Sequence, residues 1–326
     1  MDTVANEIKR FVKGSPMLYS TAKAISNFPR AATTEMRCWP IWLRGKVQEV
    51  QGSKMYLDVY EKDRSLRRTF RAYAINRVHE EATTRLFKTL VRRGDVVLDL
   101  GANLGYFTML AARQVGPEGR VYAFEPEPRN YACLRRNLDL NGYSNVIARQ
   151  CAVADKPGFV KLFICPYDTG HHTIRSYDGI AAYRPDYVDR KKASVDVEQV
   201  RLDSLLEGRE QHVDVIKMDV EGAEALALDG MQGVLTRSPN LVMVVEFFPL
   251  LIKNMGHSPD EFVRRLLDEF GFAMWVVEED YCMSGQSVTE GLLRVHSVDQ
   301  LMGLCKGTSD HLNLILEKSD SHESRL

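Results

Sequence analysis

The stretch Val96-Val97-Leu98-Asp99-Leu100-Gly101-Ala102-Asn103-Leu104-Gly105-Tyr106 constrains the fold more than any other. A short apolar run ends in an acid, a turn of small residues follows, and Phe107 to Arg113 reads as a helix. Strand, tight turn and helix in that order is where open α/β sheets bind nucleotide-like ligands. Glycines at 101 and 105 let the backbone turn sharply and let a ligand approach with no Cβ in the way. Further on, Val121 to Phe124 forms a second apolar run that ends in Glu125. A carboxylate at the tip of that strand is placed to accept hydrogen bonds from both hydroxyls of a ribose.

The turn separates two ligand classes. A dinucleotide site wants Gly-x-Gly-x-x-Gly, and Gly101 to Gly105 breaks that pattern with Asn103. Asp99 just before the first glycine sits badly beside a pyrophosphate but suits a ligand with an ammonium group. S-adenosylmethionine has a ribose and an amino-acid cation and no phosphate, so it fits better than a dinucleotide. The third reading is an ordinary α/β turn with a chance acid.

At 326 residues the chain has room for one large α/β domain with an extension, or two modest domains. A net charge of −1 gives no global basic field for nucleic acid. Cys38, Cys133, Cys151, Cys165, Cys282 and Cys305 lie far apart with no C-x-x-C pair, which argues against a zinc cluster or a disulfide framework and fits a reducing compartment. No apolar run reaches the roughly 18–20 residues of a membrane span, and the N-terminus lacks the apolar core of a secretory signal. A cytoplasmic protein is the expectation.

The chain divides into a helical N-terminal extension (1–35), a small β-rich segment (36–78), a main domain (79–318) and a polar, frayed tail (319–326). In the extension Val4, Ile8, Phe11 and Val12 share a helical face beside Lys9, Arg10 and Lys13. Such a face docks on its own domain, on a second subunit as a homodimer, or on a membrane surface. Arg64, Arg67, Arg68 and Arg71 cluster with Phe70 and Tyr73, read here as a solvated strand face in preference to an RNA-binding stripe. Val146 to Val153 reads as one strand whose end, including Ala152, lies where an adenine would meet backbone groups. Phe159 to Cys165 is an additional strand, Val200 to Leu206 a short strand and turn, and 284–293 a loop. Periodicity fails from Pro166 to Val195, where Gly170-His171-His172-Thr173-Ile174 and Tyr177, Tyr183 and Tyr187 fall in a substrate-facing loop. Two more buried strands end in acids, Val213 to Met218 before Asp219 and Leu241 to Val245 before Glu246. Acids at four strand ends, all at the carboxyl edge where open sheets bind ligands, mark a site.

Several motifs in order resemble the FkbM family of S-adenosylmethionine-dependent methyltransferases. Gly94 to Tyr106 resembles its cofactor motif with Asn103 for the middle glycine, and Phe124-Glu125-Pro126 its ribose motif. Lys217-Met218-Asp219-Val220-Glu221-Gly222-Ala223-Glu224 resembles its Lys-Ile-Asp-Val-Glu-Gly-x-Glu signature, the most specific match. His79-Glu80 with Thr83-Thr84 is similar to its acid-and-threonine helix start, and Gly170-His171-His172 to a Gly-x-His segment. The resemblance implies a Rossmann-like class I fold, a mostly parallel seven-stranded sheet with an antiparallel last strand. It also implies cofactor contacts from Glu80, Asp99, Gly101, Asn103, Gly105, Glu125, Ala152 and Asp219.

Described members of that family include O-methyltransferases acting on polyketide or sugar hydroxyls, so a small-molecule acceptor is expected. A hydroxyl must lose its proton during attack, which calls for a general base within hydrogen-bond reach. His172, Asp219, Glu221 and Glu246 are the candidates; paired acids holding a divalent cation are the alternative, although nothing in the sequence points to a metal. Methylation of nitrogen on a small molecule, protein or RNA, and a catalytically silent cofactor-binding partner subunit, are the competing functions.

Overall fold

Apolar runs bounded by acids and glycines become the strands of one large sheet. In the computed structural model the described residues are 33–176, 193–277, 291–305, 310–318 and 324–326. The amphipathic stretch expected in residues 1–30 and the tyrosines 177, 183 and 187 lie outside them. A helix over 33–43 leads into a hairpin of β1 (Val47–Val50) and β2 (Ser53–Tyr56), then helices Arg64–Asn76 and Glu81–Leu90. Strands β3 (Val96–Leu100), β4 (Arg120–Phe124) and β5 (Val146–Arg149) follow, crossed over by helices Tyr106–Val115 and Pro128–Asn141. β6 (Ala152–Val153), β7 (Gly158–Phe163) and β8 (Ser194–Val200) make a separate three-stranded sheet. The remaining strands are β9 (Val215–Met218), β10 (Val242–Phe247), β11 (Phe272–Val277), β12 (Leu292–Val295) and β13 (Leu312–Lys318).

The main sheet runs β12-β11-β13-β10-β9-β3-β4-β5. Its centre is parallel from β10 to β5, while β13 pairs antiparallel with both β10 and β11. The Rossmann-like fold with an antiparallel last strand is therefore present. The count differs from seven because β12 adds an eighth strand antiparallel to β11, starting at the end of the stretch 284–293 expected to be a loop.

Both faces of the sheet are covered, and alternation sorts its residues between two cores. Leu98, Leu100, Ile216, Met218, Met243 and Val245 enter one core; Val97, Val215, Val242, Val244 and Ile315 enter the other. The second core also holds Met55, Leu57, Val59, Phe70 and Tyr73, so the segment before residue 79 packs on the sheet.

Three local readings are corrected. Arg64–Asn76 is a helix, not a strand face: Asp63 caps it by accepting from Ser65 N and Leu66 N, and Leu66, Phe70, Tyr73 and Ala74 form a buried stripe. The expected single strand from Val146 to Val153 breaks at Gln150, and its two halves join different sheets. The C-terminal end is not frayed at residues 324–326. The Arg325 guanidinium lies between Asp95 and Asp214, 3.4 Å from the latter, and its backbone N–H donates to Glu317 at 2.5 Å.

Breaking a buried ion pair leaves an uncompensated charge at a cost of about 3–5 kcal/mol. Arg325→Ala is therefore expected to lower the melting temperature by roughly 5–10 °C, read by calorimetry. An unchanged transition would show that this end contributes nothing to the fold.

Candidate active site

Sheet register assembles the site. Asp99 pairs with Lys217 across β3 and β9, and Glu246 pairs with Asn313 across β10 and β13. By alternation all four share the face of Val97, Val215, Val244 and Ile315, at the carboxyl edge of the parallel strands. A chamber opens there, walled also by Glu80, Asp219 and Glu221, with Tyr73, His79 and Phe107 on the side of the N-terminal helices.

Lys217 is the charge at its centre. It is buried, its Nζ lies 3.4 Å from Asp219 Oδ2 and 5.2 Å from the Phe107 ring centroid. Burial opposes its charge, but Asp219, Glu80, Glu246 and Asp99 outweigh that and hold it protonated. The acids respond to the same burial. Asp99 is pushed up to about 6, relieved in part by the Thr108 hydroxyl that donates to it and by Lys217. Glu246 is raised well above the usual carboxylate range by burial and by Asp219 and Glu221. Glu80 sits at φ 44°, accepts from Asn313 Nδ2 at 3.2 Å, and lies 3.2 Å from His79 Nε2.

Beyond the turn lies a second cavity, sharing Gly101, Asn103, Asp219 and Glu221 with the chamber and continuing past Glu125 to Cys151, Ala152 and Val153. Glu125 is buried at the tip of β4; its Oε2 accepts from Asn103 N at 2.7 Å and its Oε1 from Glu127 N at 2.9 Å. With the Asn130 side chain also bonded to it, the carboxylate retains acceptor capacity for one further hydroxyl donor. Burial raises its pKa to about 8 in spite of the two amides. Asn103 adopts φ 50°, the left-handed region that asparagine tolerates better than most side chains. Gly101 has φ 85°, and a Cβ there would stand 1.8 Å from the Asp219 carbonyl oxygen. Gly105, at φ 90°, precedes the helix at 106–115 and packs against Leu134.

The loop over 165–174 closes the site. Thr69 and Thr169 hydroxyls are 2.8 Å apart, Arg68 reaches Asp168 at 3.4 Å, and Asn130 Nδ2 donates to Thr169 O at 3.0 Å. The arginine cluster is spent internally: Arg64 lies over Tyr167, Arg67 donates to Glu61 O, and Arg71 donates to Val59 O and pairs with Glu35. Of the two histidines, His171 is the one that meets the acids, with Nδ1 2.8 Å from Glu221 Oε1. Glu221 itself is held at φ 53°, and Thr173 Oγ1 donates to its carbonyl. Burial raises the Glu221 carboxyl; His171 holds it down.

His172 does not join Asp219, Glu221 and Glu246. Its Nδ1 accepts from Cys165 N at 3.0 Å, and burial pushes its pKa down to about 4, which makes it a weak base. Sequence reasoning passed over His171, Lys217 and His311, which lies 3.9 Å from Glu246. A signal existed for Lys217, a lysine inside an otherwise apolar buried strand. Asp219, Glu221 and Glu246 each bring an oxygen within 4.8 Å of the others, the set that would hold a divalent cation. Lys217 already supplies positive charge beside them.

A family model described as the methyltransferase FkbM domain matches residues 99–274, more than half of the chain. Methyltransferase sdnD of Sordaria araneosa is 33% identical over 41% of this chain and 60% of its own length. The 31-O-demethyl-FK506 methyltransferase FkbM of Streptomyces tacrolimicus is 32% identical over 44% of this chain and 61% of its own. The chain thus spans about three fifths of the length of these relatives. The chain is also similar to a solved O-methyltransferase from Bacillus cereus in complex with SAH, at 14% identity, 72% and 80% coverage and a TM-score of 0.39. No helix among the described residues is long and apolar enough to cross a membrane.

The raised acids set a pH dependence for the ligand-free protein. The folded state holds protons on Asp99 and Glu125 that the unfolded chain releases near pH 4, so their contribution is lost as pH rises through about 6 and about 8. His172, lowered to about 4, acts in the opposite direction but only below its ordinary value of 6.5. Between pH 6.5 and 9 the melting temperature is therefore expected to fall, and Glu125→Gln to flatten that decline. A melting temperature that climbs over this range would contradict the buried-acid assignment.

Proposed function

The chain belongs to the FkbM family of S-adenosylmethionine-dependent methyltransferases, and from that premise we propose that it methylates a hydroxyl oxygen of a small organic acceptor. The observation that carries this reading is the His171–Glu221 pair in the wall of the acid-lined chamber. In the tautomer that donates Nδ1–H to the Glu221 carboxylate, the basic lone pair of His171 is on Nε2, which lies 4.0 Å from Asp168 Oδ2. That nitrogen takes the proton of the acceptor hydroxyl, and Glu221 fixes the ring and stabilises the imidazolium that forms. The relative from Streptomyces tacrolimicus is a 31-O-demethyl-FK506 methyltransferase, which favours an oxygen acceptor for this chain as well.

The donor, when bound, supplies a methyl group already activated by its sulfonium charge, so the protein contributes alignment and proton removal. The two cavities fit its two ends. Glu125 keeps acceptor capacity for a ribose hydroxyl, and the Gly101–Gly105 turn brings bare backbone alongside. The carboxylates of the chamber, Asp99, Asp219 and Glu80 among them, suit the positive amino-acid end. Tyr73, His79 and Phe107 form the less polar wall on which the acceptor rests.

The test is methyl transfer from labelled donor into a metabolite extract, with mass spectrometry of the product, followed by variants on the acceptor so found. His171→Ala is expected to lower kcat by about 10²–10⁴ while calorimetric binding of S-adenosylhomocysteine persists. Glu221→Gln should cost less, because the ring keeps its place. A product methylated on nitrogen with His171→Ala fully active would sink the oxygen reading. Loss of activity in EDTA restored by Mg²⁺ would transfer the role to a cation on Asp219, Glu221 and Glu246.

A further inference from the structure

His171 and His172 are neighbours in sequence but line different cavities. Their segment is extended: Thr173 forms a β-bridge with Phe163, with N–H···O distances of 2.8 and 3.2 Å. In extended chain, successive side chains leave on opposite faces. His171 accordingly turns to Glu221 in the chamber, and His172 forms part of the wall of the cavity beyond Glu125.

The tautomer of His172 follows from one contact. The Cys165 backbone N–H donates to Nδ1, so Nδ1 is an acceptor and carries no proton. With a pKa near 4 the ring is neutral at pH 7, and its single proton resides on Nε2. That Nε2 is buried and has no hydrogen-bond partner among the described residues. A buried donor left unpaired loses its hydration with nothing in return, so such groups normally have a partner or a function. The rest of the wall narrows what the partner is. Phe124, Val153, Leu162 and Ile174 are apolar; the polar lining is Glu125, which already accepts from Asn103 N and Glu127 N, and the residues shared with the chamber, Asn103, Thr169, Asp219 and Glu221. An apolar stretch of wall with an unpartnered imidazole N–H beside it suits a flat heteroaromatic ring bearing an unprotonated nitrogen.

We propose that His172 Nε2–H donates to a ring nitrogen of the methyl donor's adenine, which makes His172 a base-reading binding residue and not a proton acceptor in catalysis. The assignment rests on the reading that the nucleoside of S-adenosylmethionine lies in the Glu125 cavity. It also explains why two adjacent histidines are needed: one belongs to the base, the other to the acceptor.

The experiment is calorimetry on the full chain with S-adenosylhomocysteine and its 1-deaza, 3-deaza and 7-deaza analogues, each lacking one ring nitrogen. One analogue should bind the unaltered protein about tenfold more weakly than the natural ligand. His172→Phe should bind S-adenosylhomocysteine about tenfold more weakly yet bind that one analogue no worse than the unaltered protein does, because the interaction is already missing. A drop of equal size for all four ligands, or no drop for any, overturns the proposal. Should the variant fail to fold, ¹⁵N-histidine spectra of the unaltered protein decide: the Nε2 proton of His172 should move downfield with S-adenosylhomocysteine and not with the insensitive analogue, and an unmoved resonance overturns the proposal. Failure of S-adenosylhomocysteine to bind the unaltered protein overturns the donor reading itself, a different outcome from binding that ignores His172.

Discussion

One buried ammonium holds the carboxyl edge of this sheet together. Asp99, Asp219, Glu246 and Glu80 face a common space, and without a cation their mutual repulsion and lost hydration would be prohibitive. Removing a single charge from water costs several kcal/mol even after relaxation. Lys217 offsets this for all four acids, and they in turn keep it protonated against its own burial. The arrangement is a consequence of register. The residue two before Lys217 is Val215, in the core, and the residue opposite it on β3 is Asp99. Shifting β9 by one residue would turn Lys217 into the other apolar core and leave the acids without a partner.

The turn from Gly101 to Gly105 depends on the same strand end. Asp219 N donates to Leu100 O at 3.0 Å, and Gly101 packs against the Asp219 carbonyl with no room for a side chain. The turn and the acid-bearing strand are thus pressed together by backbone contact, which is why the two cavities share Gly101, Asn103, Asp219 and Glu221. Asn103 departs from the glycine pattern in the sequence but keeps its conformation, at φ 50°, and its backbone N–H donates to Glu125. The departure is chemical only; the geometry that a glycine would permit is retained.

Much of this was legible because it is written in periodicity. The apolar strands, their terminal acids and the glycine turns have the spacing that a parallel sheet imposes, so the fold and Asp99, Glu125, Asp219 and Glu246 could be read directly. The failures share a cause, which is that they depend on tertiary partners. Arg64–Asn76 looks polar because four of its arginines reach out of the helix to the site loop, to Glu35, and to carbonyls of 59 and 61. Arg325 lies in a tail with no periodicity, and its meaning comes from Asp95 and Asp214 far away in sequence. The choice between His171 and His172 requires knowing which way an extended segment faces, and that is set by the bridge to Phe163.

That bridge has a wider consequence. The loop over 165–174 carries His171 into one cavity and His172 into the other, and it is itself held from outside by Thr69, Arg68 and Asn130. The two cavities are therefore not independent pieces placed side by side. Both take a wall from one short backbone segment, and that segment is held in part by the helix at 64–76, which lies ahead of residue 99, where the match to the family model begins. The stretch ahead of the sheet is consequently part of the site's construction: it packs its apolar stripe into the sheet's core and spends its polar face on fixing the loop.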